Sequence, residues 1–140
     1  MTGPGGVFLS GCTYIARHGE TVFNSARRMQ GEALHTPLTR TGIAQAEAMG
    51  AALEPRLGAR PQLTLWASDT GRALQTLAIV AEHLGLDWHD ARTDPRLREM
   101  GMGGWDGLYY DDVMAEGGPL IDRTSGLFVR QAPGGEWYDV

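Results

Sequence analysis

The stretch that decides the fold is Cys12-Thr13-Tyr14-Ile15-Ala16-Arg17-His18-Gly19-Glu20-Thr21. Its apolar first part predicts a buried strand over residues 12–17, and Gly19 permits a turn into a short helix that begins near Glu20. A neutral imidazole such as that of His18 is a nucleophile at pH 7, and the guanidinium of Arg17 offers a planar fork of donors that matches a phosphate. Taken alone, these residues fit a phosphate site and an ordinary strand end with solvated polar side chains equally well.

Two longer helices and two further strands are predicted downstream. Thr39 can cap a helix that runs to Leu57, and a second helix runs from Ser68-Asp69-Thr70 to about Leu84. Strands are predicted over residues 63–67 and 88–93. The inward-facing apolar residues are expected to be Ile43, Ala46, Met49 and Leu53 on the first helix and Leu74, Leu77, Ala81 and Leu84 on the second. This alternation of strands and helices predicts an α/β domain with a mostly parallel sheet.

Arg72 falls in the first turn of the second long helix. That position is unfavourable for a cation, because the helix dipole favours cations at the other end. It is easier to explain if an anion binds there, with an exposed helix arginine as the alternative. His18 and Arg72 both follow the carboxyl ends of predicted strands, where open α/β sheets bind ligands. Arg27 and Arg28, by contrast, are interpreted as a solvated helix end.

Composition excludes several classes of partner. The net charge is −5, and all 12 basic residues are arginines. An acidic balance argues against nucleic acid, which requires a basic face. No stretch approaches the ~20 apolar residues of a membrane span. The lone Cys12 cannot form an internal disulfide, which fits a reducing compartment and a cytoplasmic protein.

The sequence after Pro95 is rich in glycine and acidic residues. Glu99 opens this part, and one short helix is predicted from about Leu108 to Glu116. We interpret residues 100–132 as a lid-like insertion that covers a site instead of extending the sheet.

Several blocks together resemble the histidine phosphatase family, whose best-known members are the cofactor-dependent phosphoglycerate mutases. They follow the family's order from about Thr13 to the last residue: Arg17-His18-Gly19-Glu20-Thr21 with Asn24 and Gln30-Gly31, Pro37-Leu38-Thr39 with Gly42 and Gln45-Ala46, Ser68 with Arg72-Ala73 and Thr76, and Leu97-Arg98-Glu99 with Gly103, Trp105 and Gly107. The resemblance implies a three-layer phosphoglycerate mutase-like fold in which residues 1–140 form a single domain. It is specific for the family and weak for the substrate.

The resemblance also implies roles for individual residues. His18 would attack a phosphoryl group held by Arg17 and Arg72, and Glu99 would protonate the departing alcohol and later deprotonate water. The substrate-binding residues of the family match Asn24, Gln30 and Gly31. No metal and no cofactor are expected, because the arginines neutralise the developing charge. The remaining histidines, which are His35, His83 and His89, lie in no catalytic pattern and are interpreted as structural.

The chain departs from the family near its end. Relatives carry a second catalytic histidine in a late His-Gly motif, and here Pro133-Gly134-Gly135-Glu136-Trp137 resembles the block that leads towards it. We therefore expect an incomplete, C-terminally truncated domain. The family strand with that histidine lies between the counterparts of strands 12–17 and 63–67, which must pair directly, leave a gap or recruit another copy. The chain is accordingly expected to be poorly stable or to self-associate through open sheet edges.

Three functions follow from the resemblance. The first is a phosphomonoester phosphatase that acts through a phosphohistidine on a small phosphorylated metabolite. The second is a catalytically impaired protein that only binds phosphorylated ligands, which the missing histidine favours. A phosphoglycerate mutase ranks last, because Met100-Gly101-Met102-Gly103 stands where mutases of the family have a basic stretch with His and Tyr.

Overall fold

The computed structural model describes residues 11–135. In chain order its elements are α1 (Val22–Ser25), α2 (Arg40–Leu57), β1 (Trp66–Ala67), α3 (Gly71–Leu84), β2 (Arg92–Thr93) and α4 (Tyr110–Gly117), with single 3-10 turns at Trp88–Asp90, Pro95–Leu97 and Gly103–Trp105.

The strands form a parallel pair connected by a helix. Trp66 is opposite Arg92 and Ala67 is opposite Thr93, with α3 crossing between the two strands. Parallel strands need such a crossover, so this β1-α3-β2 unit confirms the predicted α/β class. Both strands are shorter than predicted. The first half of the predicted strand 88–93 is instead a 3-10 turn, because the Asp87 side chain accepts a hydrogen bond from the backbone N–H of His89 and bends the chain there.

Helices α2 and α3 occupy the predicted positions. The Thr39 hydroxyl accepts from the N–H of Gly42 at 3.1 Å, as a cap should. Thr70 is the N-cap of α3 but caps nothing with its side chain; the N–H of Gly71 donates instead to the carbonyl of Leu34 at 2.8 Å. None of the helices within residues 11–135 combines the length and apolarity required to cross a membrane.

The buried faces of the two helices differ from the predicted stripes. Small residues spaced by four form the buried ridge of α2, namely Gly42, Ala46 and Gly50. Ala46 is buried as predicted, whereas Ile43 is 43% exposed, because the small residues and not the whole apolar stripe form the buried face. On α3, Ala81 and Leu84 are buried as predicted, whereas Leu74 and Leu77 are half-buried. His83 packs over Gly50 and bonds Glu47, so it joins the helices as a structural residue.

A separate apolar cluster forms in the last third of the described chain. Its members are Met29, Met100, Met102, Trp105, Val113, Leu120 and Ala132. Met29 is the only one from outside this part, and its backbone exchanges hydrogen bonds with Leu108 (2.9 Å) and Gly107 (2.8 Å). The loop that follows α1 is therefore fastened to the segment interpreted as a lid.

Residues 12–17 are not a strand in this structure. They make no backbone pairing with any residue from 11 to 135, and within that range β1 pairs only with β2. The predicted strand is wrong here because an extended segment becomes a strand only through a partner's hydrogen bonds. The direct pairing with residues 63–67 is likewise not formed. Ile15 is 94% exposed and Trp66 is 52% exposed, so apolar side chains accompany this unpaired backbone.

Candidate active site

The turn that carries His18 is wedged between α2 and α3. A Cβ atom on Gly19 would collide with the carbonyl of Gly42 in α2, so only glycine fits this close approach. On the other side, the N–H of Gly19 donates to the hydroxyl of Thr76 in α3 at 3.0 Å. The glycine that the sequence marked as a turn is therefore also the point at which the turn contacts both helices.

The imidazole of His18 has a defined proton arrangement. Its Nδ1 lies 2.7 Å from the carbonyl oxygen of Gly19. A carbonyl only accepts, so Nδ1 carries the proton and donates it. Nε2 then keeps its lone pair, which is the arrangement that a nucleophilic histidine requires.

The surroundings of His18 favour the neutral ring. Burial lowers the pKa of His18 below its ordinary value of about 6.5, and the charges of Arg72 and Arg17 lower it further. The hydrogen bond to Gly19 and the charge of Glu99 act in the opposite direction. The net direction is downward, so the ring is neutral at pH 7.

This shift predicts how His18 responds to pH. Acylation by diethyl pyrocarbonate, which attacks neutral imidazole, should continue at His18 to a lower pH than in the urea-unfolded chain. Between the folded-state pKa of His18 and its unfolded-state pKa of about 6.5, the unfolded chain binds more protons than the folded chain does. The free energy of unfolding therefore falls as the pH is lowered through this range. Peptide-resolved labelling against pH measures the midpoint. Arg17→Met should raise that midpoint, and Glu99→Gln should lower it; a midpoint at or above that of the unfolded chain would contradict the assigned environment.

Arg72 is buried and fastens a loop. Nη1 donates to the carbonyl of Ala33 (2.6 Å) and the hydroxyl of Thr36 (3.1 Å), and Nη2 donates to the carbonyl of Gly31 (3.2 Å). These oxygens account for a cation at a helix N-terminus without an anion. Two of the five N–H groups of Arg72 have no acceptor within residues 11–135, namely the one on Nε and one of the two on Nη2. These two groups are available to a ligand.

A chain of hydrogen bonds between buried side chains connects the loop that Arg72 contacts to the segment that carries His18. The Gln30 carboxamide oxygen accepts from the hydroxyls of Thr21 (2.6 Å) and Thr36 (2.7 Å). All three residues are buried, and Thr36 also accepts from Arg72. These hydrogen bonds connect Arg72 to the start of α1 through buried side chains.

The predicted substrate-binding residues have structural contacts of their own. Asn24 and Thr21 form a reciprocal capping box around α1, with both backbone N–H groups bound at 3.0 and 3.1 Å. Gly31 has a φ of +50°, and a Cβ there would collide with the carboxylate of Asp106. The carboxamide NH₂ groups of Asn24 and Gln30 have no acceptor in the described part of the chain, so both can still donate to a ligand.

Glu99 is the fourth predicted catalytic residue, and its charge acts on His18 and Arg72. Arg98 grips Asp69, in the turn before α3, with two bonds of 2.6 and 2.5 Å, and the arginine lowers the pKa of Asp69. This pair brings the neighbouring Glu99 close enough to act electrostatically on His18 and Arg72. Glu99 is exposed and accepts from the N–H of Met100 at 2.9 Å.

The four predicted catalytic residues therefore share one electrostatic environment. Arg17 contributes the most accessible cation, because its side chain is exposed and makes no ion pair within residues 11–135. A phosphoryl group beside His18 would meet positive charge from Arg17 and Arg72 and a carboxyl group from Glu99.

The sequence did not single out Tyr110, which borders this environment. Burial and the charge of Glu99 raise the pKa of Tyr110, while Arg17 and Arg27 oppose the rise. It is the first residue of α4. Nothing in the Tyr109-Tyr110 pair distinguishes one ring from the other before the fold is known.

Arg27 and Arg28 differ from each other. Arg27 is exposed and pairs with Asp111 at 3.0 Å, as a solvated helix end would. For Arg28 that interpretation is wrong: its guanidinium lies over the rings of Phe23 and Tyr109 and donates to the carbonyl of Gly107 at 2.8 Å. Arg28 joins the loop after α1 to the segment that contains α4.

The sequence profile of the histidine phosphatase superfamily, branch 1, matches residues 13–139. The chain belongs to this superfamily. Among solved structures of the histidine phosphatase fold, a mycobacterial hydrolase is 33% identical with a TM-score of 0.67, over 85% of this chain and 52% of the hydrolase. A mycobacterial glucosyl-3-phosphoglycerate phosphatase, solved with VO3, is 35% identical with a TM-score of 0.61, over 71% of this chain and 46% of that one. These likenesses confirm the α/β fold of the superfamily.

A curated histidine phosphatase relative is also similar in sequence. A probable phosphoglycerate mutase of Yersinia pestis is 43% identical over 90 residues, which are 64% of this chain and 38% of the mutase. The chain thus spans about half, or less, of the length of the relatives it matches.

Proposed function

We propose that this chain carries the nucleophile half of a phosphomonoester phosphatase site that acts through a phosphohistidine. The observation that carries the proposal is the His18 ring: Nδ1 is committed to the Gly19 carbonyl, and the pKa is lowered, so Nε2 is free and unprotonated. Arg17 and Arg72 supply the positive charge that a phosphoryl group needs.

The first step would transfer the phosphoryl group to His18. The Nε2 lone pair forms the P–N bond while the P–O bond to the alcohol breaks. Glu99 gives its proton to the leaving oxygen, which departs as a neutral alcohol.

The second step would return the enzyme to its starting state. Glu99, now a carboxylate, takes a proton from water as the water oxygen attacks phosphorus. The P–N bond breaks, its electrons return to Nε2, and inorganic phosphate leaves. Charge on the phosphoryl oxygens is neutralised by arginines throughout, with no metal in the scheme.

The substrate class follows from the relatives. One is described as a glucosyl-3-phosphoglycerate phosphatase, another as a putative α-ribazole-5′-P phosphatase, and a third as a probable phosphoglycerate mutase. All of these names contain a phosphate monoester on a small molecule. We therefore place the substrate in that class, and we propose a cytoplasmic location because Cys12 is the only cysteine.

The segment 100–132 is proposed to act as a cover. Its apolar cluster closes around Met29, and α4 brings Tyr110 next to Glu99 and Arg17. A cover at this position would exclude water from the phosphoryl group during transfer.

A protein that binds phosphate without turnover is the second candidate. The only His-Gly pair in these 140 residues is His18-Gly19, so the second histidine that the resemblance implies is not among them. Mutase activity is less favoured, because residues 100–103 contain no basic side chain, His or Tyr.

Hydrolysis of an aryl phosphate separates these candidates. We expect turnover that is detectable but ~10²–10³ below that of a full-length relative, since losing one preorganised donor to the phosphoryl group costs about that much. Phosphate binding without any turnover would support the second candidate. Transfer between phosphoglycerate positions would support the mutase, and turnover equal to a long relative would show that another group replaces the second histidine.

A further inference from the structure

The peptide group between Gly19 and Glu20 is held at both ends. Its carbonyl oxygen accepts from Nδ1 of His18 at 2.7 Å. Its N–H, which belongs to Glu20, donates to Oε1 of Gln45 at 2.8 Å. Gln45 lies on α2, and its side chain therefore acts on the far end of the group that orients the nucleophile.

This bond controls where the carbonyl points. A peptide group is planar, so fixing its N–H direction also fixes its C=O direction. Without a partner the group would turn easily, because the preceding residue is glycine and has wide conformational freedom. A donor bond at the N–H also polarises the carbonyl and strengthens it as an acceptor.

The peptide group before Gly19 is held independently. Its N–H donates to Thr76 of α3 at 3.0 Å, and Gly19 packs directly against Gly42 of α2. On the other side, the carbonyl of Glu20 accepts from the N–H of Thr39 at 3.0 Å, and Gly42 packs against Glu20 as well. These contacts set the position of the turn. Within residues 11–135 the N–H of the Gly19–Glu20 peptide itself donates only to Gln45, so this bond sets the rotation of that peptide.

We propose that Gln45 is a positioning residue for His18: it orients the Gly19–Glu20 carbonyl, which keeps the imidazole proton on Nδ1 and Nε2 free for phosphorus. The proposal deepens the proposed function and rests on His18 as the nucleophile. Gln45 does not contact the reacting atoms and acts only through this peptide.

The test reads the His18 ring directly. In the ¹⁵N-histidine-labelled chain, NMR should show the Nδ1–H tautomer at His18. Gln45→Met keeps the length and helix propensity but removes the acceptor. We expect a mixed population in which the Nε2–H form grows, together with a fall of about tenfold to a hundredfold in the rate at which His18 takes up phosphate, as small misplacements of reacting groups produce.

Gln75→Met is the matched control. Gln75 lies on α3 and accepts from the backbone N–H of Leu38 at 3.1 Å. The substitution therefore removes the same kind of hydrogen bond, but at a peptide group that is not bonded to His18. Gln45→Glu is the conservative variant. The carboxylate introduced at position 45 can still accept from the backbone N–H of Glu20, so the His18 tautomer should be retained. The new negative charge should raise the pKa of His18.

The outcomes separate the two proposals. A tautomer change in Gln45→Met, its absence in Gln75→Met and its rescue in Gln45→Glu would support Gln45 as a positioning residue. If both Met variants lower the melting temperature alike and neither changes the tautomer, Gln45 only anchors α2 and the inference is overturned. If Gln45→Met does not fold, loss of the Nδ1–H tautomer in Gln45→Glu, which keeps the acceptor, would overturn it as well. A wild-type chain that never acquires phosphate would overturn the proposed function alone, because the NMR readout needs no turnover.

Discussion

Replacing His18 with alanine is expected to abolish phosphoryl transfer to the protein and to lower aryl phosphate hydrolysis by roughly 10³-fold or more, since no phosphohistidine can then form. In the proposed function this imidazole is the nucleophile, because its Nδ1–H bond to Gly19 and its lowered pKa leave Nε2 free. Incubation with a labelled phospho-donor, followed by mapping of acid-labile phosphate, measures the transfer.

The matched control is His89→Ala. His89 is exposed, stacks on Trp88 and bonds Asp87 on its own turn, so its loss should leave the label unchanged. Label that persists in His18→Ala, or that maps to His35 or His83 in the wild type, would contradict the assignment of the nucleophile.

Local signals in the sequence predicted the helices well. The predicted ends at Thr39, Leu57, Thr70 and Leu84 are those that the structure has, and Gly58 and Gly85, which follow the two long helices, are both at positive φ. Such signals lie within a few residues of the feature they determine. The strand over residues 12–17 is different, because an apolar run indicates only what could pair and not whether a partner is present.

The residues of the candidate site could be predicted from local sequence motifs, whereas the contacts between them could not. Arg17, His18, Arg72 and Glu99 were marked by their motifs, and the structure brings their charges together. The bonds that organise them run between distant segments: Thr76 to Gly19, Gln45 to Glu20, and Arg98 to Asp69. Residue type and spacing do not reveal such bonds, and the same reason hid the position of Tyr110.

Arg72 lies in the first turn of α3 as predicted, but its contacts give a second explanation for a cation at that position. Its place in the first turn of α3 suggested an anion, yet three carbonyl and hydroxyl oxygens already surround it. A helix N-terminus accepts a cation when other segments supply enough oxygen acceptors, and the sequence cannot show which segments fold back there. The two N–H groups left over are what a phosphate would use.

Residues 12–17 and the open side of β1 are expected to make the chain self-associate. Within residues 11–135, residues 12–17 form no backbone pairing and β1 pairs only with β2, while Tyr14, Ile15 and Trp66 are exposed. Open edges with apolar side chains recruit further strands, and a second copy of this chain offers the same edge. Sedimentation should therefore show association that increases with protein concentration.

Ile15→Arg tests this edge specifically. Ile15 is 94% exposed, so the change should not disturb folding of the monomer, and it should raise the dissociation constant of the associated form about tenfold or more by removing the burial of one apolar side chain. Val129→Arg adds the same charge at a residue that is 53% exposed in the last third of the described chain, and it should leave association unchanged. Hydrogen exchange at residues 12–17 should be fast in the dilute chain and slow where it associates. A monomer at every concentration that melts cooperatively, with residues 12–17 already protected, would refute both the association and the expected instability.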